Sequence, residues 1–383
     1  MKVHCVKKEL EKGMLTVIRA VSLKTPLPIL GHVKIVTEGE DKLVLSATDL
    51  DIGIETSIKA TVFNGGSTTV PARIITEILT QLPDKDIVLE IDEEKQIMHL
   101  RCGKSKYDMH TLPAEDFPIL PSPEEKKVIN ISQRDLKSIV KNVAIAAASE
   151  EETRTILTGV LMTVEQEKIL MVSTDGRRLA KADKKIETGV RAPFNIIIPS
   201  RTVFEISRIL QDVDEPVKII IGENQLFFIL DGLMMTSRLL EGQFPDYNQI
   251  IPKSFNHVIT IDREKLIASL KRAMIMAYEK DKDLPRLIKF KIEGGMMVIT
   301  SNTPELGQAY EEIELEEGSQ DVSLMIAFNG RYILEGLNNL VKDKINLCIS
   351  TPISPGLIKE EGNEDFTYLV MPVRLREEVF QEA

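Results

Sequence analysis

The chain has 383 residues, and its 48 Lys and Arg side chains against 59 Asp and Glu side chains give a formal net charge of −11. Such an acidic balance excludes a histone-like protein whose whole surface binds phosphate, although local basic faces remain compatible with it. The content of 43% hydrophobic and 28% charged residues is typical of globular domains, which excludes disordered and fibrous proteins.

Helical and extended segments follow one another along the chain. Six segments have the helical period, at residues 7–20, 71–82, 132–148, 199–211, 262–278 and 328–342. Between them lie short alternating runs, bounded by Gly, Asn or Pro turns, that are typical of antiparallel strands. The clearest runs are at residues 68–72, 87–91, 97–101, 217–221 and 226–230. This order predicts an α+β protein in which strands outnumber helices.

A threefold repeat organises these segments. Leu10, Leu136 and Leu266 begin the first helix of each unit and are 126 and 130 residues apart. The second helix of each unit carries an arginine followed four residues later by a glutamate. These pairs are Arg73/Glu77, Arg201/Glu205 and Arg331/Glu335. The period predicts three similar domains at residues 1–127, 128–255 and 256–383, each with two helices on one face of an antiparallel sheet.

Positive charge is concentrated in the helical segments, which carry a net +8, so the rest of the chain carries −19. If both helices of each unit lie on one face, their basic residues line a common surface. Without interleaved aromatic residues, such a surface favours phosphate contacts over base stacking, and binding would be sequence-independent and salt-sensitive. A Lys-rich solvated helix face is the alternative. The candidate contacts are Arg73, Arg134, Lys137, Lys141, Arg201, Arg208, Arg263, Lys271 and Arg331.

No enzyme motif is present in the sequence. The P-loop, dinucleotide-binding and nucleophile-elbow patterns are absent, and the Ser138-x-x-Lys141 match lacks its companion motifs. The five histidines are isolated, and the acidic pairs Asp49-x-Asp51 and Asp281-x-Asp283 are more typical of turns than of a metal site. We therefore expect no catalytic residue, no cofactor and no metal, with a hydrolase of unrecognised site as an alternative.

Cysteine spacing and hydropathy indicate the compartment. The three cysteines, Cys5, Cys102 and Cys348, are too scattered for a disulfide framework or a zinc site. The sequence has no signal-peptide pattern at its start and no run of 18 apolar residues. We expect a soluble cytosolic protein without membrane contact.

Several motifs, in order and at matching spacing, carry a family resemblance. They are residues 25–31 (TPLPILG), 47–50 (ATDL), 70–73 (VPAR), 173–180 (STDGRRLA), 244–247 (FPDY) and 368–375 (YLVMPVRL). On these residues the chain, to about position 375, resembles the bacterial DNA polymerase III beta subunit, the replicative sliding clamp family.

The resemblance implies a head-to-tail homodimer whose six domains form a ring around double-stranded DNA, with helices inside and sheets outside. The implied role is a processivity factor without catalysis, an accessory subunit of DNA polymerase III in the bacterial cytoplasm, associated with the nucleoid during replication. Its implied partners are the DNA polymerase III alpha subunit, the clamp loader, and other polymerases and repair proteins with clamp-binding peptides. A three-repeat interaction scaffold that does not encircle DNA is the alternative.

The resemblance also implies particular site residues. Lys24 lies in a loop that touches DNA in this family, and Ile275 and Met276 correspond to the dimer contact, although helix periodicity alone would place both in the core. The implied partner-peptide groove is formed by Leu157, Thr174, Gly176, Arg177, Arg178, Leu179, Pro245, Ile250, Leu369, Met371, Pro372, Val373 and Arg374. Residues 376–383 extend past the usual end of the family, as a frayed terminus or as a segment in which Phe380 folds over the groove.

Overall fold

A computed structural model describes residues 1–22, 25–124, 127–149, 155–277, 285–316 and 319–374. Six α-helices occur in these residues, and each falls within a predicted helical segment. Their bounds are α1 Lys7–Val17, α2 Ala72–Gln81, α3 Gln133–Ala144, α4 Ser200–Ile209, α5 Arg263–Met276 and α6 Gly330–Asn339. None of the described helices is long and apolar enough to cross a membrane.

The described residues also form 25 strands, all in antiparallel sheets, and the five clearest predicted runs are among them. The first repeat contains β1 Lys2–Cys5, β2 His32–Glu38, β3 Lys42–Thr48, β4 Ile52–Lys59, β5 Thr61–Asn64, β6 Ser67–Pro71, β7 Ile87–Asp92, β8 Ile97–Cys102 and β9 Ser105–His110. The second contains β10 Lys127–Ser132, β11 Gly159–Glu165, β12 Lys168–Thr174, β13 Arg178–Lys185, β14 Phe194–Pro199, β15 Pro216–Ile221, β16 Gln225–Leu230 and β17 Leu233–Arg238. The third contains β18 His257–Asp262, β19 Leu287–Glu293, β20 Met296–Thr303, β21 Gly307–Glu314, β22 Leu324–Asn329, β23 Lys344–Ile349, β24 Gly356–Glu360 and β25 Phe366–Val370. The predicted α+β class is confirmed.

Local sequence signals explain where the helices begin. The Asp262 side chain accepts the backbone N–H of Lys265 at 2.9 Å and starts α5, and Asn329 accepts the N–H of Arg331 at 3.1 Å and starts α6. In α5 the buried positions Leu266 and Leu270 recur at helical spacing, so one side of the helix packs into the core.

The first compact unit comprises Met1–Lys137, Thr188–Val190 and Phe204–Leu240. One of its sheets has five strands in the order β5-β1-β7-β8-β9, and the other has eight in the order β10-β15-β16-β17-β4-β3-β2-β6. In the larger sheet the first and second repeats join where β4 pairs with β17, with Ile54 opposite Met235. The core of this unit therefore contains strands from two repeats.

The second compact unit comprises Ser138–Glu187, Arg191–Val203 and Glu241–Ala383. Its sheets have the orders β14-β11-β12-β13-β25-β24-β23-β18 and β21-β20-β19-β22. The second and third repeats join where β13 pairs with β25, with Ala180 opposite Tyr368. Tyr368 is fully buried and donates its hydroxyl to the Tyr332 carbonyl at 3.0 Å.

A close approach between α6 and this tyrosine gives a stability prediction. A Cβ at Gly336 would lie within 2.5 Å of Tyr368 Cε1, so a side chain there must displace a buried ring. We expect Gly336→Ala to lower the free energy of unfolding by about 1–3 kcal/mol despite alanine's better helix propensity. Denaturant unfolding measures this, with Gly31→Ala as control, since a Cβ at Gly31 meets nothing within 4 Å. Equal stability of the two variants would contradict the prediction.

Candidate functional site

The turn between β12 and β13 is held by side chains of its own sequence. Asp175 Oδ1 accepts the backbone N–H groups of Arg177 and Arg178 at 2.8 and 2.9 Å, and Thr174 Oγ1 accepts the N–H of Gly176 at 3.1 Å. Gly176 has φ +81°, a left-handed conformation that glycine adopts without strain. These contacts fix the exposed residues Gly176 and Arg177 on the surface.

Arg178 lies beneath this turn rather than at an exposed rim, with its side chain only 8% exposed. Its Nε is 3.0 Å from Asp175 Oδ2, its Nη1 donates to Glu335, and its guanidinium lies 4.3 Å from the Tyr332 ring centroid. Burial alone would lower the pKa of Arg178, but the oxygens of Tyr368 and Glu335 outweigh it and raise that pKa above its usual value. Arg178 therefore stays charged and supports the turn from inside.

Only some of the predicted groove residues are joined directly by backbone hydrogen bonds. Leu179 pairs with Leu369 across the sheet, and the N–H of Met371 donates to the Arg177 carbonyl at 2.8 Å. Leu179 and Leu369 are buried, whereas Met371 is 37% exposed. The turn 174–179 and the chain segment 369–371 are therefore joined, with Leu179 and Leu369 in the core and Met371 as an exposed apolar side chain beside the turn.

The other predicted groove residues belong to neighbouring segments of the same unit. Leu157 is buried, Pro245 is exposed, and Ile250 is 38% exposed in a turn where its N–H donates to the Tyr247 carbonyl. A Cβ at Gly242 would lie 3.0 Å from Ile156 Cδ1, so the segment before Pro245 packs against the turn that carries Leu157. The N–H of Val373 donates to the Ala327 carbonyl at 2.8 Å, and Pro372 and Arg374 flank it at the surface.

The predicted basic residues differ in how far their charge is already paired. Arg134 donates to Asp212 and Asp214, both at 2.8 Å, and its hydrogen bond to the Asp212 carboxylate is the main cause that raises the pKa of Arg134. Arg73 and Arg331 pair with Glu77 and Glu335 on their own helices at 2.8 and 3.2 Å. These exposed pairs are weak, but they direct the guanidinium groups along the protein surface.

Arg263 and Arg208 are also engaged. Arg263 pairs with Glu264 at 2.5 Å and donates to the Lys342 carbonyl, and Arg208 lies over the Phe204 ring with Glu205 at 3.9 Å. Arg201 is partly exposed on α4. The arginines of the predicted set therefore already contact groups of this chain.

The lysines form a different class. Lys137, Lys141 and Lys271 make no ion pair with another side chain in the described part of the chain, and Lys141 and Lys271 are exposed. In the first unit, Lys137 lines an open cleft of about 880 Å³ together with Lys12, and carboxylates such as Glu9 also line it. Lys12 was missed as a candidate, although its place one turn after Lys8 on α1 is the signal that could have found it.

The predicted dimer residues lie at the end of α5. Ile275 is 70% exposed, whereas Met276 is partly buried and its carbonyl accepts the Thr303 hydroxyl at 2.5 Å. Arg272, one turn earlier, pairs with Glu311 of β21 at 2.5 Å, so α5 is fixed against that strand. The core position expected from helix periodicity alone does not hold for Ile275.

The acidic pair Asp49/Asp51 lies in a turn. Asp49 Oδ1 accepts the N–H groups of Asp51 and Ile52 at 3.1 and 2.8 Å, as in an ordinary turn. No group of three His, Cys, Asp or Glu side chains among the described residues is placed to hold a metal ion. Lys24, the pair Asp281/Asp283 and the segment with Phe380 lie outside the described residues.

Comparisons with known proteins cover nearly the whole chain. Family profiles described as the N-terminal, central and C-terminal domains of the DNA polymerase III beta subunit match residues 1–121, 130–246 and 248–374. A beta sliding clamp of Synechocystis is 33% identical over 399 residues, covering 98% of this chain and all of the relative. The crystal structure of the Bacillus subtilis DNA polymerase sliding clamp is 31% identical and superposes with a TM-score of 0.88, covering 98% of this chain and 100% of that one. A Pseudomonas aeruginosa sliding clamp bound to griselimycin is 29% identical with a TM-score of 0.88, at the same coverage.

Proposed function

The chain belongs to the DNA polymerase III beta subunit family and is a DNA sliding clamp, and we propose that two copies join head to tail into a ring around duplex DNA. In this ring the protein acts as a processivity factor without chemistry of its own. Topological linkage replaces affinity, so contacts with DNA stay weak enough for the ring to slide. We place the protein in the bacterial cytoplasm, at the nucleoid during replication.

The strand pairing at the two joints inside the chain carries this proposal. At each joint the third strand after the first helix of one repeat, β4 or β13, pairs with the last strand of the next repeat, β17 or β25. Among the described residues the counterparts that are paired on one side only are β21 of the third repeat and β9 of the first, and both are sheet edges. Exposed edges favour pairing with another chain. A second copy that adds its β9 to β21 repeats the internal joint, and two such contacts close a ring.

The repeat also supports a domain division near residues 127 and 255. Position 127 lies between the first two matched segments, residues 1–121 and 130–246, and position 255 lies just inside the third, residues 248–374. Each resulting domain has two helices and its own strands. We propose that the helices face DNA and contact its phosphates without reading sequence. The scaffold alternative does not explain why the edge strands β9 and β21 match the strands that pair at the two internal joints.

We propose that the surface around Met371, Ile250 and the turn 174–179 takes short apolar peptide segments of partner proteins. An exposed, flexible methionine on a segment that is hydrogen-bonded to the turn suits several different peptides. The partners we propose are the DNA polymerase III alpha subunit, the clamp loader, and other polymerases and repair proteins. We propose that griselimycin, the ligand of the Pseudomonas aeruginosa relative, binds this surface and can serve as its probe.

Retention on circular and linear DNA tests the ring. The protein loaded on nicked circular duplex is expected to remain bound through gel filtration and to be released when a restriction enzyme linearises the circle. Release depends on free ends only if the ring encircles DNA. Equal retention on circular and linear duplex would remove the sliding ring and leave the scaffold alternative.

A further inference from the structure

One carboxylate on α6 lies between the groove turn and the exposed side of the helix. Glu335 Oε1 is 3.2 Å from Nε of Arg331, while Glu335 Oε2 accepts a hydrogen bond from Nη1 of Arg178. The Arg178 side chain is 8% exposed and that of Arg331 is 59% exposed. The two oxygens of a single side chain therefore connect a buried arginine with a surface arginine.

The buried arginine is part of the groove turn. Its Nε contacts Asp175 Oδ2 at 3.0 Å, and the other oxygen of Asp175 accepts the N–H groups of Arg177 and Arg178. Stacking on Tyr332 holds the guanidinium plane in place. A change in the electrostatic attraction between Glu335 and Arg178 therefore affects the turn that exposes Gly176 and Arg177.

A glutamate shared by two arginines also occurs in the first compact unit, although its arginine partners lie at different positions. There Glu205 contacts Arg19 at 3.1 Å and Arg208 at 3.9 Å, with Arg208 the more exposed of the two. The first repeat differs, because Glu77 pairs with Arg73 on α2 and makes no second ion pair among the described side chains. Glu77 is thus a natural control for Glu335.

We propose that Glu335 is a positioning residue that couples phosphate contact at Arg331 to the peptide groove, an inference that rests on the proposed function. Arg178 and Arg331 share the charge of Glu335. When a duplex phosphate draws Arg331 away, the whole carboxylate charge is left for Arg178, and the turn 174–178 is held more firmly. DNA therefore strengthens peptide binding, and by thermodynamic linkage the peptide strengthens DNA binding by the same factor.

The size of the coupling between DNA and peptide binding follows from the strength of the Arg331–Glu335 ion pair, which is lost when Arg331 binds phosphate. An exposed ion pair between residues four apart on a helix corresponds to a factor of about two in an equilibrium constant. Griselimycin is therefore expected to bind the wild-type protein about twofold more tightly with a short duplex present at saturation. Arg331→Gln removes the competitor for Glu335, so the free protein is expected to reach the tighter affinity without DNA.

Fluorescence titration of griselimycin with and without duplex tests the coupling, together with amide hydrogen exchange of residues 174–178. Glu335→Gln is expected to weaken binding about threefold, speed exchange of the turn, and abolish the twofold DNA effect. Glu77→Gln, the matched control, should keep the affinity, the exchange rate and the DNA effect. A merely structural role of Glu335 would change the affinity and leave the DNA effect in place, so that outcome overturns the proposal.

The groove itself is checked separately. Met371→Glu is expected to abolish griselimycin binding, and binding that survives this change would remove the groove from the proposed function. The exchange measurement needs no ligand, so it tests the Glu335 contact even then. Unchanged exchange of residues 174–178 in both Glu335→Gln and Arg331→Gln would overturn the coupling whatever the probe does.

Discussion

Replacing Lys141 and Lys271 together by glutamate is expected to lower affinity for duplex DNA about tenfold or more at 0.1 M salt. Both side chains are exposed on the first helices of their repeats, and neither makes an ion pair within the described residues. A lysine without an internal partner is available to displace counterions from phosphate, and each lost contact reduces the slope of log K against log salt by about 0.9. Four such side chains per ring should reduce that slope by up to about 3.6. Fluorescence anisotropy with a labelled duplex over a salt series measures both quantities.

The matched control is an arginine of the same predicted set. Arg134 is held by two carboxylates, Asp212 and Asp214, so its charge is neutralised by this chain before any phosphate arrives. Arg331 differs, because its carboxylate partner among the described residues, Glu335, is shared with Arg178. We expect Arg134→Gln to change duplex affinity less than twofold and the salt slope by less than one. If the arginine variant loses binding while the lysine double variant retains it, phosphate contact does not follow the internal pairing seen here.

The overall fold could be predicted from sequence because its signals are local and repeated three times. Helical spacing from Leu10, Leu136 and Leu266 and alternating runs such as residues 217–221 specify elements whose buried faces follow from periodicity. The strand pairing between repeats was less accessible. No local pattern in β4 or β17 indicates that Ile54 lies opposite Met235, since that register depends on tertiary packing.

The sequence predicted which residues belong to the candidate site, but not which of them are buried and which are exposed. The motif at residues 173–180 indicates a turn, yet it does not show that Arg178 points inward while Arg177 stays exposed. That difference depends on Glu335, more than 150 positions later, and on Tyr332 beneath the guanidinium. Charge counts likewise treat lysine and arginine alike, whereas the structure distinguishes them by the carboxylates within reach of each.

Ile275→Asp is expected to convert the proposed dimer into a monomer at micromolar concentration. The isoleucine is 70% exposed in the single chain, at the end of a helix fixed by Arg272 and Glu311 to the edge strand β21. In the proposed ring this edge receives β9 of the second copy, and Ile275 becomes buried beside it. A carboxylate there would have to lose its water at an apolar contact, which raises its cost above the loss of that contact alone.

The expected effect is that of a central interface residue, about 2–4 kcal/mol per contact, or roughly 30- to 1,000-fold in the equilibrium constant of each of the two contacts. Because one substitution alters both contacts of the ring, closure is lost as well, and retention on circular DNA should fall with it. Analytical ultracentrifugation should give twice the 43.0 kDa chain mass for the wild type and the single mass for the variant. Ile353→Asp is the control, since Ile353 is exposed to a similar 67% but lies in the loop between β23 and β24, two strands of a different sheet from β21. If Ile353→Asp dissociates the dimer and Ile275→Asp does not, the second copy binds through another surface and the pairing of β21 with β9 is wrong.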